Sequence, residues 1–300
     1  MANEYTSANA AQAIPKLVAS YALPALFANL VMGALVNRNY DGTLANAGDT
    51  VNVPIAPNLV SNNIAEAGQV QNQNPSLGNA QVVLNTHEEA TFQVPNVTQV
   101  LAAPDLLQTL LQPAVVAIAE KIESDLLNLY PLLTFNASVG VANTPLTESV
   151  IDSAETSLFA AKMPDSISKF AVVSGTAYSQ LRQIARFSEE KMAPGMGQAL
   201  YTGQVGKLKN VLFFRSQKVI AVGSTTNNMV FGTDALTLVT RQLPQVTQGT
   251  GAISYTMNFG GFALRVVLSF NPNTLGQQLT VDVLYGVGVL RNQFGLLLLN

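Results

Sequence analysis

Three hundred residues without a cysteine exclude a disulfide framework, a thiolate metal site and a cysteine nucleophile. A single histidine, His87, leaves a multi-histidine metal site without ligands and any catalytic triad with one possible base. Charged residues make up 11% of the chain and hydrophobic residues 48%, against roughly 25% charged in ordinary soluble domains. Asn and Gln supply much of the remaining polarity, as in Gln69-Val70-Gln71-Asn72-Gln73-Asn74. An amide costs less to bury than an unpaired charge, so this composition suits a surface that ends up facing other protein. The net charge of −3 provides no basic stripe for phosphate contact, which counts against a dedicated nucleic-acid binder.

Residues 1–13 are small and polar and read as an arm. The N-terminus, Met1-Ala2-Asn3-Glu4, lacks the basic start of a secretory signal. A helical stretch follows from Ile14 to about Val36. Its charge-free part, 17–36, has the length of a bilayer span, but Pro24, Ser20 and Asn29 interrupt it and no basic cluster flanks it. It is expected to pack on a neighbouring subunit instead of lipid. Residues 37–42 mark a turn.

From Gly48 the pattern changes to polar–apolar alternation, in Asp49-Thr50-Val51-Asn52-Val53-Pro54-Ile55, which predicts a strand. Val82-Val83-Leu84-Asn85 and Ala90-Thr91-Phe92-Gln93-Val94 predict two more. Between them, residues 57–80 hold little to bury, so a long two-stranded excursion with a polar tip is expected. Such a ribbon is marginal alone and needs a partner to lie on. Pro104-Asp105 opens the strongest helix, to about Tyr130, with Leu107, Leu110, Leu111, Ala114, Val115, Ile118, Ile122 and Leu126 on one stripe. Pro113 should bend it or weaken its middle. A second amphipathic helix is predicted over 147–161, a buried strand at 170–173 and a third helix over 175–186. Residues 189–203 read as loop, and the chain from Val211 is strand-rich, most clearly at 211–214, 219–222, 262–270, 279–290 and 296–299. Helices and strands in separate blocks predict an α+β fold.

Known chemical motifs fail one by one. Gly203-Gln204-Val205-Gly206-Lys207 lacks the earlier glycine of a phosphate loop, and Leu208 stands where Ser or Thr is required. Gly195-Met196-Gly197 would need a glycine at Leu200 for a dinucleotide turn. His87 beside Glu88 and Glu89 reads as a hydrogen-bonded surface group, and Ser174-Gly175 lacks the nucleophile elbow. No catalytic residue, cofactor or metal is assigned, and the chain is expected not to be an enzyme.

Several segments, taken in order, resemble tailed-bacteriophage major capsid proteins of the Hong Kong 97-type fold, in particular the podovirus-type coat branch. They are 23–38, Ala47-Gly48-Asp49-Thr50-Val51-Asn52-Val53-Pro54, Thr86-His87-Glu88-Glu89-Ala90-Thr91-Phe92, 113–127, Tyr201-Thr202-Gly203-Gln204-Val205-Gly206-Lys207-Leu208, and Leu284-Tyr285-Gly286-Val287-Gly288-Val289-Leu290-Arg291. Together they span nearly the whole chain, which is short for that branch.

The resemblance implies an N-terminal arm (1–48), an extended loop (49–100), a peripheral domain with a long spine helix (101–139 and 236–300) and an axial domain (140–235). It places Pro194, Gly195, Met196 and Gly197 at the capsomer axis and Glu66, Gln71, Gln73, His87, Glu88 and Glu89 in the intersubunit extended loop. Implied partners are further copies of the chain in pentamers and hexamers, a scaffolding protein, a portal, a decoration protein, and packaged double-stranded DNA held without sequence readout. The implied location is the virion, with assembly in the host cytoplasm and no membrane. An encapsulin-like compartment shell and an outer-membrane barrel are the alternatives.

Overall fold

The computed structural model describes residues 31–40, 50–55, 59–64, 66, 68–70, 72–74, 78–95, 106–184, 206–247, 251–259, 262–273 and 276–300. Four α-helices are found among them, α1 (Met32–Leu35), α2 (Leu106–Leu127), α3 (Glu148–Ala160) and α4 (Gly175–Arg182), with short 3-10 turns at Tyr130–Leu132 and Asn292–Phe294. The strands are β1 (Thr50–Ile55), β2 (Gly78–Val83), β3 (Thr86–Pro95), β4 (Val139–Gly140), β5 (Lys169–Val173), β6 (Lys207–Leu208) and β7 (Val211–Arg215). They continue with β8 (Ala221–Val222), β9 (Thr225–Gly232), β10 (Leu236–Arg241), β11 (Ala252–Phe259), β12 (Phe262–Asn271), β13 (Gly276–Val289) and β14 (Gly295–Leu299).

Alternation along β13 organises the first sheet. Leu279, Val281, Val283 and Tyr285 point to one side, where Leu264, Val266 and Leu268 of β12 join them. Against these buried residues α2 lays Leu111, Val115, Ile118, Ala119, Ile122 and Leu126, all fully or nearly fully buried. Each of these side chains but Ala119 contributes about 1.5–3 kcal/mol on leaving water. Pro113 lies within α2, which continues unbroken to Leu127, and it is on the exposed side. Strand β13 is long enough to pair with β3 along one edge and with β12 and then β10 along the other. Strand β11 completes this sheet through β12.

The second sheet runs β4-β14-β9-β5-β7-β6, with β8 folded onto β9. The segment 295–299, which the sequence reading groups with the peripheral domain, pairs here with β9 instead. Asn228, fully buried on β9, explains part of that placement. Its Oδ1 accepts from Ser174 N at 2.8 Å, and its Nδ2 donates to Leu298 O at 3.0 Å and Asn300 Oδ1 at 2.9 Å. Ser174 in turn caps α4 by accepting from Ala177 N at 3.2 Å. The β6–β7 turn has Lys209 and Asn210 at φ 48° and 65°, as a two-residue type I′ hairpin demands.

The mixed helix-and-sheet architecture matches the expected α+β class. Several bounds differ from the sequence reading. The strand expected at 82–85 occupies 78–83, the one expected at 219–222 is only Ala221–Val222, and α4 stops at Arg182. Among the described residues neither large sheet closes on itself, unlike a barrel, and no helix is long and apolar enough to cross a membrane. Most of the apolar stretch 17–36 lies outside the described residues.

Candidate assembly surfaces

Strands β1 and β2 form a separate two-stranded ribbon, with Thr50 opposite Val83 and Ile55 opposite Gly78. One face of its root carries Val53, Ala80 and Val82, which pack with Leu84, Val239 and Leu290 into a small core of their own. Two glycines on β13 make that approach possible. A Cβ on Gly286 would stand 2.3 Å from Val83 O, and one on Gly288 would stand 2.8 Å from Val82 Cγ2. The ribbon's other face is an amide ladder: Asn52 Oδ1 accepts from Asn79 Nδ2 at 2.9 Å and from Gln81 Nε2 at 3.2 Å.

Farther out, Gln73 binds the facing arm as a strand neighbour would. Its Oε1 accepts from Val60 N at 3.0 Å while its Nε2 donates to Val60 O. The tip exposes large apolar side chains: Leu59 is 66% accessible, Val60 69%, Ile64 49% and Val70 74%. A tip read from sequence as merely polar is therefore an apolar surface with amides between. Glu66 lies exposed among them, and Gln71 is outside the described residues.

The structure does not bring all the expected extended-loop residues together. His87, Glu88 and Glu89 sit on β3 in the first sheet, not on the ribbon. His87 Nε2 is 2.9 Å from Asp282 Oδ2, and the buried Asp282 carboxylate also accepts from Arg265 Nε at 3.0 Å and from Arg265 Nη2. A carboxylate shared between a guanidinium and a histidine clamps β12, β13 and β3 together. It lacks the nucleophile an acyl-transfer triad needs. Glu88, on the opposite face, lies 3.8 Å from Lys121 Nζ of α2, and Glu89 accepts from Thr91 Oγ1. The proposed axis residues Pro194, Gly195, Met196 and Gly197 lie outside the described residues.

Two polar hubs join the parts, and both use carboxylates from the group Glu120, Lys121, Glu123 and Asp125, which reads from sequence as a solvated face of α2. Glu123 of α2 is buried; its Oε2 accepts from Val31 N at 2.9 Å and its Oε1 from the Ser216 hydroxyl. One carboxylate thereby ties α2 to the start of α1 and to the loop after β7. Tyr285, fully buried on β13, donates to Asp125 Oδ2 at 2.7 Å, and Asp125 also receives Lys121 Nζ at 2.7 Å. Burial first, then the bond to Asp125, push the Tyr285 phenol far above its ordinary value of 10.0. Among the described residues no cluster of His, Asp and Glu is arranged to hold a metal ion.

No family model matches the chain, and no curated protein matches its sequence. Solved structures do match. One from Mycobacterium phage Che8 covers 90% of both chains with a TM-score of 0.65 at 15% identity. The capsid of cyanophage P-SCSP1u covers 85% of this chain and 84% of its own, with a TM-score of 0.60 at 13% identity. A virus-like particle from Pyrococcus furiosus covers 93% of this chain and 96% of its own, with a TM-score of 0.53 at 10% identity. The ribbon, the long helix α2 packed on the first sheet and the separate second sheet are, together, the Hong Kong 97-type fold seen in phage capsid structures.

Proposed function

We propose that the chain is the major capsid protein of a tailed phage, assembling as pentamers and hexamers into an icosahedral shell around double-stranded DNA. The observation that carries this reading is a phage-capsid fold over nine-tenths of the chain, with a projecting ribbon whose tip exposes Leu59, Val60, Ile64 and Val70. Closed shells tolerate weak individual contacts because many act at once through effective concentration, and a closed point group ends growth at a finite size.

In this reading the ribbon is the intersubunit extended loop and Glu66, Gln71 and Gln73 lie on it. The first sheet with α2 is the peripheral domain, and the second sheet, including 295–299, is the axial domain, with 194–197 at its tip. His87, Glu88 and Glu89, on β3, belong with the first sheet and so to the peripheral domain. The chain acts as a structural protein, not an enzyme, in the virion. Scaffolding, portal and decoration proteins are its partners during assembly in the host cytoplasm, and DNA is held as a confined polyelectrolyte. A cellular compartment shell is the second reading, and the contents of the particles, genome or enzyme cargo, distinguish the two. The test is expression with the neighbouring scaffolding gene, followed by electron microscopy of the lysate. Uniform closed shells are expected; monomers despite the scaffold would refute the reading.

A further inference from the structure

The net charge of −3 is unevenly spread along the chain. Residues 166–233 hold eight of the fifteen lysines and arginines but only two of the eighteen carboxylates, Glu189 and Glu190. That segment is therefore net +6 and the remainder net −9. Asymmetry of this kind within one chain points to a polyanionic partner. Part of the excess is neutralised inside the fold. Lys169 Nζ lies 3.3 Å from Glu155 and 3.2 Å from Asp165, Lys209 reaches Asp152 at 3.0 Å, and Lys218 reaches Glu120 at 2.7 Å. Arg182, Lys207 and Arg215 are exposed and face no carboxylate among the described residues. Arg186 and Lys191 lie outside the described residues.

The second sheet brings two of those three cations together. Alternation along β7 puts Val211, Phe213 and Arg215 on one face. Tyr178 of α4 meets Arg215 there, with the guanidinium carbon 5.8 Å from the centre of its ring. Arg182 follows Tyr178 by one helical turn and shares its side of α4. Lys207 stands opposite Leu212 and so belongs to the other face. A guanidinium stacked on an aromatic ring keeps its N–H edge free and its plane fixed, the geometry that grips a phosphate through two bonds. Thr176, Ser179 and Gln183 are exposed on the same short helix and its cap, and such hydroxyls and amides add phosphate contacts. Among the described residues α4 exposes no large apolar side chain, the anchor that a protein partner needs at the centre of an interface.

We propose that Arg182, Tyr178 and Arg215 form a site for the phosphate backbone of the packaged duplex, and that this face of the second sheet is turned to the inside of the shell. This rests on the reading of the chain as a shell subunit and assigns the residues that touch its contents. Phosphate contact carries no base readout, so the site suits DNA of any sequence. Each copy neutralises about two phosphates and releases their counterions. Repetition over the inner surface turns a weak contact into a strong one.

Arginine-specific modification with phenylglyoxal, read by peptide mass spectrometry, tests the site on the unaltered chain. DNA-filled shells are compared with the same shells after their DNA has been released. Arg182 and Arg215 should react about fivefold more slowly in the filled shells, the factor for about 80% occupancy by mass action, and regain full reactivity once emptied. Lys207, acetylated in parallel, should react alike in both. Equal reaction of the two arginines in filled and emptied shells would overturn the proposal. Protection that persists after the DNA has gone would also overturn it, because another protein would then cover the patch. With the purified full chain and a DNA duplex, Arg182→Gln combined with Arg215→Gln should flatten the log–log salt dependence of binding by about 1.8, about 0.9 for each phosphate lost. Lys207→Gln should leave it unchanged. An unchanged slope in the arginine double variant would count against the site. Failure of the unaltered chain to form shells even with its scaffold would instead count against the capsid reading itself.

Discussion

Gly286→Ala tests how the ribbon is seated. The added Cβ would lie 2.3 Å from the Val83 carbonyl oxygen and 3.0 Å from its carbon, where a comfortable carbon–oxygen contact is about 3.3–3.6 Å. About 1 Å must therefore open between two backbones, and no rotamer change can provide it. Overpacking of this kind costs about 1–3 kcal/mol, and a clash against backbone belongs at the upper end. Alanine returns about 0.4–1 kcal/mol by restricting the unfolded chain, leaving a net loss of about 2 kcal/mol. At about 2–4 °C per kcal/mol for a chain of this size, the melting temperature should fall about 4–8 °C. Gly288→Ala is the control, since its Cβ meets Val82 Cγ2 at 2.8 Å. That contact is with a side chain, so its cost should be about half as large. Calorimetry on the two purified variants decides the matter. An unchanged melting temperature for Gly286→Ala, or a larger loss for Gly288→Ala, would refute the seating argument.

Three further outcomes are expected. Asn228→Ala removes the partner of the buried Leu298 O and of the half-buried Ser174 N, which should cost about 1–3 kcal/mol in denaturant titrations. Tyr285 has a folded pKa above its unfolded value of 10.0. Its contribution is thus whole below about pH 10 and is lost as pH rises toward the folded value, by up to about 1.4 kcal/mol per pH unit. Tyr285→Phe should flatten that alkaline decline while losing the bond to Asp125; an unchanged slope would exclude Tyr285 as its source. Replacing residues 59–74 with a short turn keeps the ribbon root on Val239 and Leu290. Electron microscopy should then find no shells while circular dichroism reports a folded subunit, and intact shells would show the tip to be dispensable.

Much of the fold was legible because its elements carry strong local periodicity. The stripe from Leu111 to Leu126 announced α2, and alternation from Thr50 to Ile55 announced the ribbon's first strand. Strand β9 was not singled out, because Thr225-Thr226-Asn227-Asn228 reads as a polar turn; only tertiary partners make Asn228 a core residue. The assignment of 295–299 to the second sheet was equally hidden, since an apolar run fits any sheet and pairing is a long-range property. The resemblance to a capsid layout puts His87-Glu88-Glu89 in the extended loop. Register with Leu284, Val283 and Asp282 places it in the first sheet. The role of Gly286 and Gly288 was visible only as part of a family pattern, because a close approach cannot be read without the approaching strand. The clamp around Asp282 joins residues 87, 265 and 282, a spacing no local motif could suggest.

The central claim is that this chain closes into an icosahedral shell, and a symmetric electron cryomicroscopy reconstruction of particles formed with the scaffold tests it most directly. Five- and six-fold capsomers built from this fold, each ribbon lying on an adjacent subunit, are the predicted result. Particles without icosahedral order, or subunits whose ribbons fold back on themselves, would contradict it.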